Sequence, residues 1–264
     1  MILLALPLLF TSCQTGSDEQ IDDAPKRLSQ QLGNAVLWFQ QSAEMQTIYL
    51  QRYQHAKLLL KQKLDTLNPN QQAAIVLDID ETILDNSPYE ARLLVSGTNY
   101  ATASWKSWCE EAKASALPGA IDFLNFADQN GVNIFYISNR KVNVLQATIA
   151  NLKTVGAPQV DTLTVMLRTN TSNKTARRTN VKNEYQVLLY VGDNLTDYDE
   201  DFAKRGKDKA KILVEKRQQE LFANFIMLPN PMYGEWEAAL YDNDFNIADS
   251  LKLLKRKDAL YLAD

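Results

Sequence analysis

Two cysteines and one histidine are all that 264 residues contain. If Cys13 belongs to a leader, Cys109 has no intramolecular partner, and the fold must stand without a disulfide even in an oxidising compartment. A cysteine nucleophile needs an adjacent base. The one histidine, His55, lies in an expected helix with no motif around it, so Cys109 reads as packing and His55 as a structural or surface residue. Basic charge is also scarce. The 28 Lys and Arg against 32 Asp and Glu give a net charge of -4, and no run of Lys or Arg makes a basic stripe. That excludes a global field for nucleic acid, so any anionic ligand must be attracted locally. No repeat or low-complexity tract interrupts the chain beyond its first residues. What is present, 45% hydrophobic and 23% charged residues, suits one well-buried core with an insertion.

The first twelve residues form an apolar run too short to span a bilayer as a helix, followed at once by Cys13 and polar residues. This is the layout of a secretion signal. Leu9-Phe10-Thr11-Ser12-Cys13 resembles a bacterial lipobox, so residues 1–13 are expected to be a signal with a lipidated Cys13. Residues 14–25 then form a flexible tether and 26–264 a single domain. No Lys or Arg precedes the apolar run, which departs from the usual signal, and a buried N-terminal strand or helix is the alternative. The expected location is the bacterial cell envelope, with the lipid anchored in the outer membrane.

From Leu28 to Leu64 apolar residues recur at spacings of three and four, which predicts two helices closed by Asn68-Pro69. Ala73 to Leu77 is a continuous apolar run, as expected of a strand buried on both faces. Downstream the spacing predicts helix 120–129, strand 132–137, helix 142–155, strand 162–167, helix 174–183, strand 187–191, a further helix and strand 211–214. Such alternation implies an α/β, Rossmann-like parallel sheet with helices on both faces. A small, mainly helical cap and N-terminal subdomain complete it. Between residues 83 and 117 the alternation lapses into a segment with Tyr89, Tyr100, Trp105 and Trp108. It reads equally as an insertion over the site or as a surface helical hairpin.

Ligands of such sheets bind at the carboxyl ends of the strands. Three strand ends deliver polar clusters: Asp78-Ile79-Asp80-Glu81-Thr82, Ser138-Asn139-Arg140, and Gly192-Asp193-Asn194-Leu195-Thr196-Asp197. Four neighbouring aspartates repel unless a hard divalent cation such as Mg²⁺ neutralises them. Alternation puts Asp78 and Asp80 on one side with Ile79 turned away, so one carboxylate can attack while its neighbour moves protons.

An apolar strand ending in DIDET, a second ending in SNR, a lysine, and a strand ending in GDNLTD match, in order, the four motifs of the haloacid dehalogenase (HAD) superfamily. The stretches VLDIDETILDNSPY, FYISNR, LLYVGDNLTDYDEDF and IMLPNPMYGEWE closely resemble the class C acid phosphatases, a bacterial lipoprotein family of 5'-nucleotidases. The resemblance implies that Asp78 is a nucleophile forming an aspartyl-phosphate and that Asp80 is general acid and then base, with its backbone carbonyl on the metal. Ser138 would bind a phosphoryl oxygen, with Asn139 and Arg140 lining the same edge. Lys174, favoured over Lys182 by its Lys-x-x-Arg context, would hold Asp78 and the phosphoryl charge. One Mg²⁺ would sit among Asp78, Asp80, Asp193 and Asp197, with Asp197 acting through water or orienting Lys174. Thr196 stands where the family commonly has a further aspartate. The Asp193–Asp197 spacing is kept, and metal binding is expected to survive.

The resemblance also places Trp105 and Tyr233 on either side of a nucleotide base. The expected substrate is therefore a small phosphomonoester such as a nucleoside monophosphate. A homodimer is left open. The competing class is a nucleotide- or haem-binding surface lipoprotein whose catalysis has decayed, although none of the key aspartates or Lys174 is missing. A dehalogenase, which needs no Mg²⁺, and a phosphomutase are the rivals among enzymes.

Overall fold

The computed structural model describes residues 23–203, 206 and 208–263; the leader, Cys13 and most of the tether lie outside the described residues. Seven strands, β1 (Ala73–Leu77), β2 (Leu84–Asp85), β3 (Ser115–Ala116), β4 (Asn133–Lys141), β5 (Val165–Arg168), β6 (Gln186–Gly192) and β7 (Phe225–Met227), are described. Five make one parallel sheet in the order β5-β4-β1-β6-β7, and β2 pairs with β3 in a separate antiparallel ribbon. The chain runs outward from β1 through β4 and β5, then returns to the other side of β1 with β6. This reversal makes the β1/β6 boundary the switch point of the sheet, where a crevice opens at the strand ends.

Strand β1 is buried along its whole length because both faces of the sheet are covered. Ala73, Ile75 and Leu77 face one core, together with Phe123, Leu124 and Tyr136. Ala74 and Val76 face the other, with Phe135, Val181, Tyr190 and Phe225. The first core is capped by α2 (Gly33–Gln41), which follows α1 (Ala24–Gln30), and by the long α3 (Ala43–Asp65), whose Tyr49, Tyr53, Ala56 and Leu60 are buried. The expected pair of helices is three, the first interrupted by a turn at Gln31-Leu32 and the last beginning after Ser42, whose hydroxyl accepts a hydrogen bond from Met45 N at 3.0 Å and caps α3.

The 83–117 segment folds as the ribbon with α4 (Ser87–Ser96) and α5 (Thr102–Glu111) between its strands. Helices α6 (Ala120–Gln129), α7 (Leu145–Thr154), α8 (Thr175–Glu184), α9 (Leu195–Tyr198), α10 (Lys209–Lys216), α11 (Gln218–Asn224), α12 (Glu235–Ala238) and α13 (Asp249–Asp258) follow. The expected strand 211–214 is a correction, for it lies inside α10 and the fifth strand is β7. The apolar triplet Ile212-Leu213-Val214 is too short to carry a period. Leu213 and Val214 lean on the second core while Ile212 is half exposed. Among the described residues no helix is long and apolar enough to cross a membrane.

Candidate active site

Leu77 is level with Tyr136 on β4 and Val191 on β6, so Asp78, Ser138 and Asp193 emerge within two residues of one another in height. The Asp78 N–H still donates to the Val191 carbonyl at 3.0 Å, holding the first residue past β1 in the ladder. Strand β6 ends on Gly192 for a steric reason. A Cβ there would lie 2.2 Å from Asp197 Oδ2 and 2.5 Å from Asp197 Cβ, so a side chain would displace the aspartate folded over the strand end. Asp197 is fixed in turn by a capping box, in which its Oδ2 accepts from Asn194 N at 2.9 Å.

One carboxylate oxygen from each of Asp78, Asp193 and Asp197 fits within a span of 4.8 Å. Lys174, at the N-cap of α8, puts its ammonium between two of them, 2.5 Å from Asp78 Oδ1 and 2.6 Å from Asp197 Oδ1. Burial pushes the Asp78 carboxyl up to about 7, against the pull of Lys174 and with the help of the Asp197 and Asp80 charges. Asp193 is driven well above the carboxylate range by burial and by Asp197 and Asp78. Burial would lower the Lys174 ammonium, but Asp197 and Asp78 outweigh it and raise it.

Three carboxylates against one ammonium leave two surplus negative charges in a buried place, and a divalent cation matches that surplus. Asp197 spends both oxygens, on Lys174 and on Asn194 N. Asp193 spends Oδ2 on the Asn230 amide at 2.8 Å. Among the described residues, Asp78 Oδ2 and Asp193 Oδ1 receive no hydrogen bond, so these two oxygens are available to a cation, and Asp197 acts as the residue that orients Lys174.

Asp80 belongs to a second, balanced group. Its Oδ1 accepts from Arg140 Nε at 2.8 Å and from Asn86 Nδ2 at 2.9 Å, and its Oδ2 accepts from Ser138 Oγ at 3.2 Å. Arg140 is buried, anchored by Thr148 and lying 5.6 Å over the Trp105 ring. One guanidinium and one carboxylate cancel here, with no surplus for a metal.

The turn that follows Asp80 is held from α3. Glu81 adopts a left-handed conformation, φ 50°, at a non-glycine position. Its carbonyl accepts from the Tyr49 hydroxyl at 2.6 Å, and the next carbonyl, of Thr82, accepts from the Tyr53 hydroxyl at 2.5 Å. Burial, with the Asp80 and Asp193 charges, keeps the Glu81 carboxyl well above its usual range.

The chain matches the HAD superfamily, subfamily IIIB (Acid phosphatase), over residues 11–236. It belongs to this family. It is also similar to the solved class C acid phosphatase of Bacillus anthracis, 41% identical with a TM-score of 0.87, covering 90% of this chain and 100% of that one. The tungstate-bound form of that enzyme is 40% identical with a TM-score of 0.86, at the same coverage. Among curated proteins the chain is similar to vegetative storage protein 1 of Arabidopsis thaliana, 27% identical over 72% of this chain and 63% of that protein. A stem 31 kDa glycoprotein of Glycine max is 26% identical over 60% of this chain and 58% of that protein. The chain thus spans about three fifths of the length of these plant relatives.

Within this acid phosphatase fold, the residues read from the sequence come together at the strand ends, with differences of detail. Asp78, Lys174, Asp193 and Asp197 form one cluster, and Asp80, Ser138 and Arg140 the other. The Asp80 side chain stands on Arg140 rather than in the acidic cluster. Arg140, read as lining the substrate edge, lies beneath it with a side chain 1% exposed. Asn139 is exposed at the rim, where Arg177 Nη2 donates to its Oδ1 at 2.8 Å. Trp105 and Tyr233 are partly buried against the first core, Trp105 with its ring 5.1 Å from Tyr89. Lys182 is elsewhere, over the Tyr190 ring at 5.6 Å, and Cys109 is buried with its thiol pushed up to about 12 by burial.

Three residues of the site are not read from the sequence, and a fourth, Arg177, enters there only as the Lys-x-x-Arg context of Lys174. Asn86 touches Asp80, and Asn230 holds Asp193. Arg177 donates to the Ser138 carbonyl at 2.6 Å, and Arg178 to the Thr196 carbonyl at 2.7 Å. Asn86 and Asn230 stood inside the stretches DETILDNSPY and LPNPMYG, so the signal was position beside a motif.

Proposed function

We propose that this protein is a metal-dependent phosphomonoesterase, an acid phosphatase of 5'-nucleotidase type, working through an aspartyl-phosphate on Asp78. The observation that carries this reading is the pair of unshared oxygens, Asp78 Oδ2 and Asp193 Oδ1, in a buried cluster with two surplus negative charges. Mg²⁺ held by Asp78, Asp193 and the Asp80 carbonyl would supply electrostatic stabilisation of the phosphoryl oxygens.

The chain's own residues do the rest. Asp78 attacks phosphorus with its carboxylate held at Oδ1 by Lys174, whose ammonium also faces the charge carried by the transferring group. As the ester P–O bond breaks, Asp80 gives its proton to the departing alkoxide. It then takes a proton from the water that attacks the aspartyl-phosphate, releasing inorganic phosphate and restoring both carboxyl groups. Ser138, on Asp80 Oδ2 at 3.2 Å, is near enough to share its hydroxyl with a phosphoryl oxygen. Tungstate, found in the Bacillus anthracis enzyme, is a tetrahedral oxyanion of the kind such a site accepts.

Trp105 and Tyr233 are proposed to stack on the nucleoside base, worth about 1 to 3 kcal/mol per base whichever base is present. Anchorage to the bacterial envelope through lipid on Cys13, and a homodimeric state, belong to the same proposal. The name of vegetative storage protein 1 favours a second reading, a storage protein on this scaffold; the complete set Asp78, Asp80, Lys174 and Asp193 argues against it.

Phosphate release from nucleoside monophosphates, sugar phosphates and an aryl phosphate, with Mg²⁺ and with EDTA, is the test. The expected result is activity with Mg²⁺, none with EDTA and none for Asp78→Asn. Trp105→Ala is expected to lose selectively on nucleotides. Activity indifferent to EDTA and to Asp78→Asn would overturn the mechanism, and no activity on any ester would favour the storage reading.

A further inference from the structure

Asn86 lies between β2 and α4 with no exposed surface, and every hydrogen-bonding group of its side chain is used. Its Oδ1 accepts from Trp108 Nε1 at 2.8 Å and from Arg140 Nη2 at 3.2 Å. Its Nδ2 donates to Asp80 Oδ1 at 2.9 Å, with longer approaches to Leu84 O at 3.4 Å and Glu81 Oε2 at 3.5 Å. An indole N–H and a guanidinium only donate. The amide therefore has one allowed orientation, oxygen toward Trp108 and Arg140 and nitrogen toward Asp80.

Two donors, Arg140 Nε and Asn86 Nδ2, thus converge on Asp80 Oδ1. Oδ2 is left with the single 3.2 Å bond from Ser138, and it is the oxygen free to carry a proton to a substrate. Trp108 comes from α5, the helix that also carries Trp105. It is clamped from outside by Arg92, whose guanidinium lies 4.8 Å over its ring and is paired with Glu111. The Asn86 backbone N–H donates to Glu81 Oε1 at 2.8 Å, so the left-handed turn after Asp80 and the amide are fixed together.

We propose that Asn86 is a positioning residue for proton transfer: keyed by Trp108, it occupies Asp80 Oδ1 and so assigns the proton-carrying role to Oδ2, which couples the 83–117 segment to the leaving-group step. This rests on the reading of Asp80 as the proton donor. A donor aimed wrongly matters most when the leaving group most needs a proton. The loss must therefore grow with leaving-group pKa, whereas a merely structural defect lowers all rates alike or weakens binding.

The experiment measures kcat and KM for p-nitrophenyl phosphate, phenyl phosphate and a nucleoside monophosphate, with Mg²⁺ present. It compares wild type, Asp80→Asn, Asn86→Ala and Trp108→Phe. Asp80→Asn is expected to lose about 10²-fold or more on the nucleotide and much less on the nitrophenyl ester. Asn86→Ala is expected to repeat that slope at about 10-fold to 100-fold on the nucleotide, with KM within about twofold. Trp108→Phe keeps an aromatic side chain, though a smaller one, and removes the indole donor, so it should show the same slope at smaller size and carries the test if Asn86→Ala does not fold. A steep Asp80→Asn beside flat losses in Asn86→Ala and Trp108→Phe, or losses confined to KM, would overturn the inference alone. A flat Asp80→Asn would overturn the reading of Asp80 and this inference with it.

Discussion

Asp78 and Asp80 stand two residues apart at the end of one strand, yet their surroundings are opposite. Asp78 shares Lys174 with Asp197 and faces Asp193, so its half of the site is over-supplied with negative charge. Asp80 has Arg140 to itself, with Asn86 and Ser138 completing its shell. Under the proposed mechanism the difference divides the chemistry. A surplus of two charges calls for a divalent cation and a nucleophile bound beside it, while a balanced pair suits a carboxyl that must pick up and release one proton in each half-reaction. The turn that follows Asp80 is clamped from α3 by two tyrosines, on the Glu81 and Thr82 carbonyls.

The largest effect should come from Asp193→Asn. It removes one of the two carboxylates with an unshared oxygen while leaving the Asp80 group untouched. Activity is expected to fall by about 10³-fold, and the response to Mg²⁺ to vanish in titration calorimetry. Metal-stimulated turnover persisting in this variant would break the comparison, since the cation would then lie elsewhere.

Next come the two buried cations. Removing one partner of a buried pair costs about 3 to 5 kcal/mol, so Lys174→Met and Arg140→Met should both lower the urea midpoint strongly in EDTA. The halves then part company. Lys174→Met leaves three carboxylates whose added charge strengthens cation binding, so its deficit against wild type should shrink in Mg²⁺. The deficit of Arg140→Met should stay the same, because the Asp80 side chain stands on Arg140 and only its backbone carbonyl is proposed to reach the cation. Equal recovery in both variants would dissolve the distinction.

How much of this was visible beforehand depended on whether the information was local. DIDET, SNR and GDNLTD each follow an apolar strand directly, so the strand ends and the aspartates were legible from short windows. Whether Asp80 faced the metal or Arg140 was not, since the Asp80–Arg140 pair spans 60 residues and Asn230–Asp193 spans 37. Strand β7 was missed and α10 read as a strand because three apolar residues have no measurable period. Both touch the second core, and only burial separates them: Phe225 and Ile226 are buried, whereas no residue of α10 is. Asn86 was hidden for another reason: asparagine before Ser-Pro reads as a turn residue, and nothing in the sequence tells that its amide points inward.

The pH dependence of stability should also divide the site. The Asp78 carboxyl, ordinarily near 3.8, and the Glu90 carboxyl, ordinarily near 4.5, are each pushed up to about 7, both by burial first. Their folded forms bind a proton that the unfolded chain has already released, so the folded state gains from acid and that gain is lost as pH rises through about 7. In EDTA the melting temperature should therefore fall between about pH 4 and pH 7. Mg²⁺ should flatten the Asp78 part of that slope and leave the part from Glu90, which lies on α4 facing the Glu237 charge. A slope unaltered by Mg²⁺ would mean that Asp78 does not sense the cation.

The smallest effect concerns the turn that leaves Asp80 toward the 83–117 segment. Tyr53→Phe deletes one hydroxyl from α3 and leaves the Thr82 carbonyl without its 2.5 Å partner, in a place that water does not reach. A buried acceptor left unpaired costs on the order of 1 kcal/mol or somewhat more, which a urea midpoint resolves. Because Asp78 is held by the β6 ladder and Lys174, and Asp80 by Arg140 and Asn86, each half has supports independent of Tyr53. The loss in kcat should therefore stay below about tenfold and be the same for aryl and nucleoside esters, for an error shared by both halves has no preference for the leaving-group step. A slope with leaving group in Tyr53→Phe would show instead that the turn at Glu81 steers Asp80 as directly as Asn86 does.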